Sequence, residues 1–130
     1  MMANEPQRVL VVEDEPDSGM AIRALLEGRG CQVVVAANAR DAFERVASEP
    51  FPSIIFLDLA LPDMDGDEFL RAVRQDPRLE HIPVVVMSGW ARHITPPIPI
   101  AGWLPKPFEG HQLIEILDRL SPKDAAVAPG

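Results

Sequence analysis

Two hydrophobic rhythms alternate along the chain. Val9-Leu10-Val11-Val12, Val33-Val34-Val35, Ile54-Ile55-Phe56-Leu57 and Pro83-Val84-Val85-Val86-Met87 are short apolar runs rich in β-branched residues. Such runs predict strands, and unbroken ones predict strands buried on both faces. Trp103-Leu104-Pro105 predicts a short fifth strand. Pro105 would delete a ladder hydrogen bond from a central strand, so this one belongs at an edge. Between the runs, apolar residues recur three and four apart. Ile22, Leu25 and Leu26 mark a first helix, opened by Pro16 and ended by Gly28 or Gly30. Asn38 is the N-cap of a second, with Ala42, Phe43 and Val46 inward and Pro50 and Pro52 closing it. Gly66 opens a third, with Phe69, Leu70 and Val73 inward and a stop at Asp76-Pro77. Leu113, Ile116, Leu117 and Leu120 mark the last.

Strands and helices thus alternate, which predicts right-handed crossovers and an α/β fold with a mostly parallel sheet covered on both faces. The interval from Gly89 to Gly102 breaks the pattern. It carries Pro96, Pro97 and Pro99, and an interior proline costs a helix about 3 kcal/mol. At most one helical turn is expected between Trp90 and Ile94, then an extended segment. Trp90, Ile98 and Ile100 are then left to cover the sheet edge or to meet a partner.

Bulk properties narrow the function. The 130 residues make one ordinary domain, and 47% hydrophobic content is enough for a core. The domain is expected over residues 1–120, with 121–130 a frayed tail or linker stub. The net charge of −8 argues against direct nucleic-acid binding, which needs clustered Lys and Arg. No apolar run approaches the roughly 20 residues of a membrane helix, and Met1 to Arg8 lack a signal core. Cys31 stands alone, which fits a cytoplasmic protein with a small buried thiol.

The chemistry sits where the strands end. Open α/β sheets bind ligands beyond the carboxyl ends of their strands. Here the first strand is followed by Glu13 and Asp14, the third by Asp58, the fourth by Ser88 and the fifth by Lys106. Carboxylates converging at one rim repel by roughly 4 kcal/mol per pair at ~4 Å and an effective dielectric of about 20. All-oxygen ligation fits a hard divalent cation, Mg²⁺ in the first place. A divalent ion, an ammonium and a hydroxyl around one carboxylate form a receptor for a phosphoryl group. Asp58 is then the nucleophile that forms an aspartyl phosphate.

Taken one at a time, these residues have plainer readings. Glu13 and Asp14 also suit a helix start, Ser88 a strand terminus and Lys106 a solvated surface. Asp63, Asp65, Asp67 and Glu68 fit turn chemistry and the first turn of a helix better than metal ligation. His81, His93 and His111 lack mutual ligand spacing and fit exposed positions. Trp90 follows Ser88 by two and suits either a site cover or packing.

Five segments together resemble the receiver domain of bacterial two-component response regulators. They are Val11-Val12-Glu13-Asp14-Glu15, Ile55-Phe56-Leu57-Asp58-Leu59, Leu61-Pro62-Asp63-Met64-Asp65-Gly66, Val86-Met87-Ser88-Gly89 and Leu104-Pro105-Lys106-Pro107-Phe108. The resemblance runs from about Arg8 to Leu120. It implies a flavodoxin-like, doubly wound five-stranded sheet in the order 2-1-3-4-5. It implies that Asp58 takes a phosphoryl group from a sensor histidine kinase or histidine phosphotransfer protein. Asp14 would bind Mg²⁺ directly and Glu13 mainly through water, with Asp58 and the Ala60 carbonyl completing the protein ligands. Lys106 would pair with phosphoryl oxygens, with a cis bond before Pro107. Ser88 and Trp103 would form the switch pair, acting on a downstream protein that the sequence leaves unnamed.

Two other functions compete. A haloacid-dehalogenase-like phosphatase also uses a strand-end Asp, but needs a second Asp two residues on, where this chain has Ala60. A phosphorylation-independent interaction module on the same fold would be marked by loss of the acidic pair, the Asp or the Lys, and all are present. The Gly89 to Gly102 interval is shorter than is usual for the family, whose helix at this place is expected to be reduced or absent. The usual dimerisation mode through that face is expected to be lost with it.

Overall fold

A computed structural model describes residues 6–88 and 98–121. Its elements follow in the order β1 (Arg8–Val12), α1 (Pro16–Gly28), β2 (Gln32–Ala36), α2 (Ala39–Val46), β3 (Ile54–Asp58), α3 (Gly66–Gln75), β4 (Val84–Ser88), β5 (Gly102–Pro105) and α4 (Gly110–Leu120). The five strands form one sheet in the order β2-β1-β3-β4-β5, every pair parallel. This is the doubly wound order that the resemblance implies, and β5, with Pro105, lies at an edge as the missing donor predicts.

Alternate side chains of the strands feed two cores. Leu10, Val12, Ile55, Leu57, Val84 and Val86 pack with Ala42 and Val46 of α2 and with Phe69, Leu70 and Val73 of α3. Val9, Val11, Ile54, Phe56, Val85 and Met87 pack on the other face with Ile22 and Leu26 of α1 and Leu113 and Leu117 of α4. Helices on both faces bury the central strand β3 completely, which is why its apolar run is unbroken. The edges differ: Val34 on β2 is 40% exposed. Leu25 on α1 is likewise half out of the core, so the first helix buries Ile22 and Leu26 alone of the three apolar positions that marked it.

The helix starts follow local chemistry. Pro16 stands in the first turn of α1, and the Asn38 side chain accepts a bond from the Asp41 amide to cap α2. Glu109 and Gln112 form a reciprocal capping box at the start of α4.

The expected turn between Trp90 and Ile94 falls within residues 89–97, outside the described residues, as does Trp90's own placement. Residues 98–100 carry no helix or strand and lead directly into β5. Ile98 and Ile100, like Trp103, are partly buried and pack against the core on the α2–α3 face. Arg74 at the end of α3 fixes this segment: Nε donates to the Pro99 carbonyl at 3.1 Å, and Nη1 to Glu80 and Ile82 carbonyls at 3.1 and 2.8 Å. Burial pulls its pKa below the ordinary arginine value.

Candidate functional site at the carboxyl edge of the sheet

Because all strands run parallel, the carboxyl ends of β1, β3, β4 and β5 lie on one rim. The ladder extends one residue past β1, where the Glu13 amide donates to the Ala36 carbonyl at 2.9 Å. That bond turns the Glu13 side chain inward, where it is 1% exposed, while Asp14 beside it stays exposed. Asp58 is the last residue of β3 and is buried. Ser88, the last residue of β4, is buried next to it in the sheet order.

Lys106 arrives from the far edge. Its amide donates to the Ser88 carbonyl at 2.6 Å, and a cis peptide joins it to Pro107. Its ammonium donates to Glu13 Oε1 at 2.7 Å and to Asp58 Oδ2 at 2.9 Å. The other oxygens are also engaged: Asp58 Oδ1 accepts from the Ala60 amide at 2.9 Å, and Glu13 Oε2 from the Glu15 amide at 3.2 Å. Burial pushes the Glu13 carboxyl above its ordinary value, although the Lys106 hydrogen bond works against that. Burial works against the Lys106 charge too, but the hydrogen bonds from Glu13 and Asp58 outweigh it and hold the pKa above the usual lysine value.

One carboxylate oxygen from each of Glu13, Asp14 and Asp58 can be chosen so that all three lie within 4.8 Å of one another. Three hard oxygen donors at that spacing fit a cation of the Mg²⁺ or Ca²⁺ type and suit no soft metal. The carboxylates of Glu13, Asp14 and Asp58 are therefore close together, and the Ala60 amide is bonded to Asp58.

The loop after Asp58 is built to hold its shape. The Gly66 amide donates to the Leu59 carbonyl at 2.9 Å, and Ala60 and Asp65 bridge across the loop. A Cβ on Gly66 would lie 2.5 Å from Leu59 Cα, so only glycine allows this approach. Trp103 is half-buried on the opposite face of β5 from Leu104, packed against the core of α2 and α3. His81 and His111 are exposed, and His93 lies outside the described residues.

Reading the sequence missed one residue here. Asp63 was expected to serve its own turn. Instead its two oxygens accept from the Ala39 and Arg40 amides of α2 at 2.9 and 3.0 Å. These bonds hold its pKa below the usual aspartate value. No local spacing signals a partner 24 residues away.

The family called response regulator receiver domain matches residues 9–118. The chain belongs to this family. Among relatives of this receiver domain, the response regulator Rre1 of Synechocystis is 33% identical over 130 residues, covering 94% of this chain and 54% of Rre1. The sensor histidine kinase TmoS of Ectopseudomonas mendocina is 35% identical over 114 residues, covering 85% of this chain and 12% of the kinase. The chain thus spans about half of the first relative's length and about an eighth of the second's. Among solved structures, the receiver domain of sensor histidine kinase PA1611 from Pseudomonas aeruginosa PAO1 is 26% identical with a TM-score of 0.80. That likeness covers 89% of this chain and 98% of that one, which is described with a magnesium ion coordinated in its active-site cleft. Receiver domains are signalling switches of two-component systems. Among the described residues, no helix is long and apolar enough to cross a membrane.

Proposed function

We propose that this receiver domain is a phosphoryl-accepting switch whose acceptor is Asp58. The reading is carried by one observation: a buried strand-end carboxylate held between a backbone amide and an ammonium, inside a ring of two further carboxylates. An Asp58 oxygen attacks the phosphorus of a phosphohistidine on a sensor histidine kinase or phosphotransfer protein. The phosphorus–nitrogen bond breaks, its electron pair returns to the imidazole, and the acyl phosphate forms on Asp58. The Asp58 bonds to the Ala60 amide and Lys106 orient the carboxylate before attack.

Glu13, Asp14, Asp58 and the Ala60 carbonyl are the groups that would hold Mg²⁺. When bound, the ion supplies positive charge against the phosphoryl oxygens. Lys106 offers a second positive charge, and on phosphorylation its bond to Asp58 would pass to a phosphoryl oxygen. The Ser88 hydroxyl, one residue beyond the ladder partner of Asp58, would turn toward the same group, and Trp103 would report it. The kinship with a sensor histidine kinase supports a kinase as the donor. A cytoplasmic setting follows from that reading.

The test uses acetyl phosphate and Mg²⁺ with intact-protein mass spectrometry. A gain of one phosphoryl group is expected in the wild type and none in Asp58→Ala or with EDTA. A gain that persists in Asp58→Ala overturns the assignment of the acceptor. No gain, together with no binding of beryllofluoride, overturns the switch in favour of a phosphorylation-independent interaction module.

A further inference from the structure

The rim is closed by bonds between segments that are distant in sequence. Lys106 ties β5 to β1 and β3 from one side. On the other side, the Glu13 amide is bonded to Ala36 at the end of β2, and α2 begins three residues later. The remaining link must join the start of α2 to the loop leaving Asp58. Asp63 is the residue on that loop that does so: each of its oxygens takes one amide of the first turn of α2.

We propose that Asp63 is a positioning residue for the acceptor site, fixing the Ala60 backbone against Asp58. The proposal rests on the reading of Asp58 as phosphoryl acceptor and the rim as a Mg²⁺ site. Asp63 is exposed and touches neither Glu13, Asp14 nor Asp58 among the contacts described. It therefore works through the loop. Between Asp58 and Gly66 the backbone is held at its base by the Leu59–Gly66 bond and the Ala60–Asp65 bridge. Its tip is held by Asp63 on α2. Without that hold, the loop keeps the bond at its base, but the Ala60 backbone loses its fixed distance from the strand ends. Asp63 meets two amides with two acceptor oxygens, and a carboxamide would satisfy only one.

A plain helix-capping role would give α2 the same bonds, so the control must uncap α2 without touching the loop. Asn38→Ala does this, since Asn38 caps α2 through the Asp41 amide. The experiment compares wild type, Asp63→Ala, Asp63→Asn and Asn38→Ala in the full chain. It reads Mg²⁺ affinity by calorimetric titration and amide hydrogen exchange at residues 59–66 without metal. Phosphorylation by acetyl phosphate at saturating Mg²⁺ is the third readout. Removing a group that orients metal ligands weakens binding by about tenfold, and that loss is expected for Asp63→Ala, with faster exchange at Ala60. Asp63→Asn should fall between, and it carries the test if Asp63→Ala does not fold. Asn38→Ala should lose stability while keeping wild-type affinity and exchange in the loop. Wild-type affinity and exchange in Asp63→Ala overturn the proposal, and so does an equal loss in Asn38→Ala. A wild type that binds Mg²⁺ but accepts no phosphoryl group overturns the proposed function, and affinity and exchange still decide the role of Asp63. A wild type that binds no Mg²⁺ overturns both.

Discussion

Lys106→Met removes the only cation bonded to Glu13 and Asp58 among the described residues and keeps most of the aliphatic stem. In the wild type its ammonium lies 2.7 Å from one carboxylate and 2.9 Å from the other. The two acid side chains are 1% and 9% exposed, so each can recover only part of its hydration when the lysine goes. Stripping one partner from a buried ion pair costs about 3–5 kcal/mol. The lysine is itself 25% exposed, which lets water into the gap and lowers the figure to roughly 2–3 kcal/mol. Urea unfolding in EDTA at pH 7 measures it.

The loss has a pH signature. Glu13 is raised by burial even with Lys106 present, and loses its main opposing influence in the variant. An acid whose folded pKa lies above its unfolded value costs stability at high pH, because folding then buries a charge. That cost is relieved as pH falls through the folded value toward the ordinary 4.5. The deficit of Lys106→Met against wild type should therefore shrink between neutral pH and about pH 5. Lys106 itself contributes nothing to this window, since a raised lysine stabilises fully below its unfolded value of 10.5 and loses that only in strong alkali. Mg²⁺ should stabilise the variant more than the wild type, by mass action on a more negative rim. A variant as stable as wild type in EDTA at pH 7, or a deficit that grows on acidification, would show that the ammonium does not hold these carboxylates.

Three further outcomes follow from the same geometry. Asp14→Asn relieves repulsion at the rim without breaking a described ion pair, so it should gain on the order of 1 kcal/mol in EDTA and lose Mg²⁺ affinity by titration. Gly66→Ala drives a Cβ to 2.5 Å from Leu59 Cα and should cost about 1–3 kcal/mol in urea unfolding, with slower phosphorylation by acetyl phosphate. Arg74→Met leaves the Pro99, Glu80 and Ile82 carbonyls without their donor, so it should cost roughly 2 kcal/mol in thermal unfolding while leaving phosphorylation of Asp58 near wild type.

The features read correctly from the sequence are those set by local rules. An unbroken run such as Ile54 to Leu57 has one economical placement, a strand covered on both faces, and Asp58 follows from where that run stops. Pro105 sent β5 to an edge because a missing donor is a property of one residue. Asn38 as N-cap rests on the same kind of local bond. Long-range choices were not legible. Glu13 and Asp14 look alike in the chain, yet one is buried and the other exposed, because the Ala36 carbonyl takes the Glu13 amide from a different strand. Asp63 and Arg74 bond across 24 and 25 residues, and no periodicity encodes such a meeting. Val34 and Leu25 fit their element patterns, and only the sheet order and the placing of α4 decide that both stay partly exposed.

The electrostatics of the rim explain why these parts belong together. Glu13, Asp14, Asp58 and Lys106 leave two formal negative charges at one spot, on a chain whose net charge is −8. A monovalent counterion would leave the rim short by one charge, whereas a divalent one balances it. The backbone offers help of a fixed kind, the Ala60 and Glu15 amides, each already spent on a carboxylate oxygen. Lys106 is different: its donor is carried on a flexible stem and is shared between two acceptors. If Asp58 is the acceptor, as proposed, its charge in the acyl phosphate would move outward onto phosphoryl oxygens, and a shared donor could follow it while keeping Glu13 paired. A rigid donor could not serve both states. An arginine at the same place would hold its two acids by a planar fork and resist that transfer. Lys106→Arg is therefore expected to keep apo stability near wild type while lowering the yield of phosphorylated protein.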